Sequence, residues 1–88
     1  MTKAEELIAL GEGRGCLANS AGDEPVFILV ARDRTAPALV RDWADRVERL
    51  ITNEGEMTLD RRNKIALARR LASAMDDWQK ANGRKIPD

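Results

Sequence analysis

Histidine and tyrosine are absent from this 88-residue chain, cysteine and phenylalanine occur once each, and tryptophan occurs twice. Each gap removes a chemistry. Without histidine there is no Ser-His-Asp or Cys-His relay and no imidazole to hold zinc or haem. Cys16 alone supplies neither a Cys-x-x-Cys site nor an internal disulfide, and although Arg14 lies close by in sequence, no base accompanies it. The carboxylates form no ligand-spaced cluster. Pairs such as Asp42 with Asp45, and Asp76 with Asp77, fall on helix faces expected to be exposed, where burial does not tune them for acid-base work. The expectation is a protein that is not an enzyme, with no catalytic residue, no metal and no cofactor.

Long apolar runs are missing as well. The longest, Val26 to Ala31, is far below the ~20 residues that span a bilayer, and the N-terminus has neither a basic n-region nor an apolar h-region. No membrane association is expected, and the cytosol is the expected location. Lys plus Arg and Asp plus Glu are each 15, so no overall field draws the chain to nucleic acid, and specific nucleic-acid binding is not expected. A chain this short forms one domain and buries only ~60 to 65% of the surface its unfolded form exposes.

What is present reads as an α+β fold. Thr2-x-x-Glu5 is a capping-box pattern that opens a short helix within residues 1–10, halted by Gly11. Residues 11–34 carry Gly11, Gly13, Gly15 and Gly22 with Asn19, Ser20 and Asp23, which is turn chemistry interrupted by Cys16-Leu17-Ala18 and then by Val26 to Val30. The pattern predicts a Gly-rich turn with a small β-hairpin or paired strand, its second strand apolar on both faces.

Residues 35–83 predict a long antiparallel helical hairpin, followed by a tail, 84–88. Thr35 is placed to cap its first helix, with Pro37 in the first turn. Leu39, Val40, Trp43, Val47, Leu50 and Ile51 confine the apolar side of that helix to an arc of roughly 140°. After the turn NEGEM, Thr58 or Asp60 is placed to cap a helix reaching Asn82 and stopped by Gly83, with an apolar arc of roughly 180°. Arg61, Arg62 and Lys64 at its start and Asp76 and Asp77 near its end oppose the macrodipole. In a hairpin the first set lies beside Glu48, Glu54 and Glu56, and the second beside Arg32, Arg34 and Arg41.

A strand apolar on both faces and a wide helix face both call for cover. A second copy of the chain supplies it in a homo-oligomer; the alternative is a monomer whose N-terminal helix folds over both surfaces.

Three features are candidates for ligand binding. GEGRG sets Arg14 among glycines whose amides can approach a phosphate, although it matches neither a dinucleotide fingerprint nor a P-loop and reads better as a helix stop with a flexible turn. Arg61 and Arg62 make a basic helix start that is either an anion site or one half of the hairpin pairing. Trp43 and Trp78 lie near Arg32 and Arg34 in the expected hairpin, either as core residues or as a stacking platform beside cations.

The run DEPVFILVARDRTAPALVRDWADRV, preceded by GEGRGCLANSAG and followed by a charged helix ending MDDWQKANGRKIPD, resembles a class of small uncharacterised proteins encoded by bacteriophages and prophages. That resemblance covers most of the chain and rests on overall pattern, without a catalytic signature. It implies a phage accessory protein acting in the host cytoplasm, and some small oligomeric phage proteins act as counter-defence sponges for nucleotide immune signals. The corresponding expectation is a non-enzymatic homo-oligomer that binds a small anionic nucleotide through Arg14, Arg32, Arg34, Trp43, Arg61 and Arg62 at subunit junctions. The alternative is an interaction module that docks on a host or virion protein through the same apolar surfaces.

Overall fold

A computed structural model describes residues 1–87, and it is helical. Four helices follow in chain order: α1, Lys3–Gly11; α2, Gly15–Asn19; α3, Ala36–Glu54; and α4, Leu59–Asn82. Among the described residues there is no β-strand, only one isolated parallel bridge between Asp33 and Lys85.

The N-terminal helix forms as its cap predicts. The Thr2 hydroxyl accepts from the amide of Glu5 at 3.2 Å. The Glu5 carboxylate turns instead to the amino group of Met1, 3.1 Å away, and the hydrogen bond and charge of that ammonium hold its pKa below the ordinary value. Gly13, with φ of 74°, reverses the chain after α1, a conformation that residues with a Cβ rarely adopt. The Arg14 amide then closes onto the carbonyl of Ala9 at 2.8 Å.

The α+β reading fails in residues 11–34. Cys16-Leu17-Ala18, expected in a first strand, are one turn of α2, closed by the Ser20 hydroxyl donating to the carbonyl of Cys16 at 2.7 Å. That removes the only partner the chain offers to Val26–Val30. Strand propensity expresses fit to a pleated neighbour and not a backbone state that stands alone, so without a partner the segment forms no strand among the described residues. Phe27 is 86% exposed and Ile28 71%.

The hairpin is antiparallel as the sequence indicates. Helix α3 ends at Glu54, and Gly55 caps it by donating to the carbonyl of Ile51 at 3.0 Å. A Cβ on Gly55 would stand 3.3 Å from a guanidinium nitrogen of Arg61, which crosses the turn to donate to the carbonyl of Glu56 at 2.6 Å. Thr58 caps α4, its hydroxyl accepting from the Arg61 amide at 3.2 Å, and Gly83 ends the helix at φ of 91°.

Thr35 takes the N-cap position of α3, but its side chain makes no capping hydrogen bond. It is itself in helical conformation, and its amide and hydroxyl both donate to the carboxylate of Asp33, each at 2.8 Å. Asp33 thus serves as the start signal two residues earlier.

Small residues line the seam. Ala36, Pro37, Ala44, Ile65, Ala72 and Met75 form the buried apolar set, and no large side chain among the described residues is fully buried. Helices α1 and α2 pack on each other, and neither reaches α3 or α4. The cover over the hairpin that a closed monomer would need from α1 is therefore not there. The accessible surface is 7080 Å², against about 5,200 Å² for a compact monomer of this mass. The radius of gyration, 14.3 Å, likewise exceeds the ~12 Å of a compact 88-residue domain.

Candidate functional site

The charge pairs that hold the hairpin fix its register. Arg41 on α3 pairs with Asp76 on α4, and Arg69 on α4 donates to Glu48 at 2.9 Å and to Asp45 at 3.0 Å. Those two carboxylate hydrogen bonds raise the Arg69 pKa above its ordinary value. Of the cross-pairs expected at the two helix ends, Arg41 with Asp76 forms; Arg61 meets the Glu56 backbone, and Arg32 and Arg34 make no ion pair with Asp76 or Asp77.

The six residues singled out for a ligand are spread over the molecule. Arg14 lies between α1 and α2, away from the hairpin, and its guanidinium is engaged by Glu12 at 3.1 Å. Arg61 and Arg62 stand in the first turn of α4, and Arg32 and Arg34 beside its other end. Eighteen residues of helix from Arg61 to Gln79 separate the ends by about 27 Å. A shallow cleft of about 380 Å³ takes in Arg62 with Glu48, Met57, Ile65 and Arg69. Arg69 is already neutralised there, which leaves Arg62 as the cation of that cleft without an ion pair among the described residues. Trp43 is 52% exposed on α3 and lines neither this cleft nor the one at the opposite end.

That second cleft is built from the loop before α3 and the chain after α4. Beyond Gly83 the backbone turns back and runs alongside residues 32–34, with the amide of Lys85 donating to the carbonyl of Arg32 at 3.0 Å and the amide of Arg34 to the carbonyl of Lys85 at 2.9 Å. Gln79, 8% exposed, anchors the same loop from α4: its side-chain amide donates to the carbonyls of Ala31 and Asp33, each at 2.8 Å. The result is a cleft of about 280 Å³ lined by Arg32, Trp78, Asn82, Gly83, Arg84 and Lys85. Arg32 is thus grouped with Trp78, the other tryptophan, and with Arg84 from the tail. Glycine after a helix followed by two cations was visible in the sequence; that the tail would dock on residues 32–34 was not.

Among the described residues no three of His, Cys, Asp or Glu gather in metal-holding geometry, and no helix is long and apolar enough to cross a membrane. No protein-family model, curated protein or solved structure matches the chain.

Proposed function

We propose that the chain is a non-enzymatic interaction module that works as a homo-oligomer, in the accessory role that its resemblance to phage-encoded proteins implies. The observation that carries this reading is the unspent apolar surface. Two sets of exposed side chains occur in one chain: Leu7, Ile8, Leu17, Phe27 and Ile28 in residues 1–30, and Leu39, Trp43 and Leu50 on α3. The excess over a compact monomer, about 1,900 Å² per chain, exceeds the ~800 Å² per partner of a standard interface and reaches the range of obligate homodimers.

A second copy is the partner whose amount and chemistry match. Each chain carries both an uncovered apolar arm and an uncovered apolar helix face, so exchange between two copies covers both at once, with the same patches used on each side. Hydrogen exchange of the amides in residues 5–30 tests it. Protection that rises with protein concentration supports the proposal; fast exchange at every concentration contradicts it. Protection that appears only when a host or virion protein is added would make that protein, and not a second copy, the occupant.

A further inference from the structure

The cleft at the C-terminal end of α4 has properties that self-association does not use. It joins two segments far apart in sequence: the loop before α3, which supplies Arg32, and the end of α4 with the tail, which supply Trp78 and Arg84. The Asp33–Lys85 bridge and the two Gln79 hydrogen bonds fix the backbone of the loop and the tail against the helix.

Cations near a helix C-terminus often serve only to satisfy its last carbonyls. Here the last turn is served by other donors. The side-chain amide of Asn82 donates to the carbonyl of Trp78 at 3.0 Å, and the Gly83 amide to the carbonyl of Gln79 at 2.7 Å. The guanidiniums of Arg32 and Arg84 make no hydrogen bond or ion pair among the described residues, whereas Arg14, Arg41, Arg46 and Arg69 each have a carboxylate. Two unengaged guanidiniums beside an indole that is 44% exposed are complementary to an anion and a planar ring together. Guanidiniums bind phosphate oxygens as a planar fork, and indole faces stack on nucleobases.

We propose that this cleft is a binding site for a free nucleoside phosphate, with the base against Trp78 and the phosphate between Arg32 and Arg84. At about 280 Å³ the cleft is open and falls just below the ~300 Å³ lower end of small-molecule sites, so one base and one phosphate would lie against it with the remainder of the ligand in solvent. Trp43 and the α3 face proposed for self-association are separate from it, so the two proposals fail separately.

The test uses the full chain carrying Trp43→Phe, so that Trp78 is the sole fluorophore, titrated with mononucleotides and with inorganic phosphate. Nucleotide should quench Trp78 saturably, and phosphate alone should bind more weakly. Arg32→Ala and Arg84→Ala should each weaken binding roughly 10- to 100-fold, the consequence of losing a charged hydrogen bond. Trp78→Phe should retain most of the affinity by calorimetry, while Trp78→Ala should lose about 5- to 100-fold, the range measured for base stacking. Far-UV circular dichroism of each variant separates loss of binding from loss of fold. No quench and no calorimetric heat with any mononucleotide overturns the proposal, as does inorganic phosphate binding as tightly as nucleotide. Affinity that appears only with single-stranded oligonucleotides and grows with their length also overturns it, because the cleft would then be tracking a strand.

Discussion

The side-chain amide of Gln79 donates to two backbone carbonyls at once, those of Ala31 and Asp33, each at 2.8 Å. Among the described residues it is the one buried polar side chain, and its amide ties the end of α4 to the loop that opens α3. That loop carries Asp33, whose carboxylate starts α3, and pairs with the tail through Lys85. One side chain therefore holds together the start of one helix, the end of the other and the cleft between them.

Gln79→Leu should remove both hydrogen bonds and leave the carbonyl of Ala31 without its donor, while that of Asp33 still accepts from the Ala36 amide, at a cost of about 1 to 3 kcal/mol. Chemical denaturation reads that loss. Amide exchange at Arg34 and Lys85 should accelerate more than exchange in the middle of α3. Uniform acceleration through the hairpin would show that Gln79 supports global stability without anchoring the loop.

Arg41 and Asp76 should be coupled. A double-mutant cycle with Arg41→Ala and Asp76→Ala should give about 0.2 to 1 kcal/mol, the range for exposed ion pairs. The same cycle on Arg34 and Asp77, which form no pair, should give none. Coupling at the second pair and not the first would mean a different hairpin register.

Much of the hairpin was legible in the sequence, because its signals are local and periodic. Apolar residues recur three and four apart, and Thr58 after the polar turn and Gly83 at the stop each act on a neighbouring backbone group, so their consequence follows from spacing. The strand was misread for the opposite reason. Val26 to Val30 carry strong strand propensity, yet a strand exists only with a partner, and the segment that had to supply it, Cys16 to Ala18, coils into α2. Thr35 takes the expected cap position, but its hydroxyl does not serve the helix, because the carboxylate of Asp33 two residues upstream accepts both the Thr35 amide and hydroxyl. The cleft was only half legible. Arg32 stood out as a cation near a tryptophan, but whether Trp43 or Trp78 would accompany it depends on the tail docking at residues 32–34, which no local pattern encodes.

The seam between α3 and α4 should tolerate no enlargement. The register set by Arg41–Asp76 and Arg69–Asp45 brings Ala44 and Ala72 to the same level, and both are fully buried. Ala72→Leu should separate the helices at a cost of about 1 to 3 kcal/mol, seen as a lower denaturation midpoint with little change in slope. Ala74→Leu, on an exposed position of the same helix, should leave the midpoint within error.

The most direct measurement is the mass in solution, by sedimentation equilibrium at micromolar concentration, of the native chain beside Phe27→Asp and Ile28→Asp. The apolar arm should bring two or more copies together, so the native chain should sediment at a multiple of 9.8 kDa. A charge placed in that arm should return it to one copy while the helical circular dichroism of α3 and α4 persists, because α1 and α2 do not pack on the hairpin. A native chain that sediments as a single 9.8 kDa species across the concentration range, unchanged by either substitution, would contradict the account.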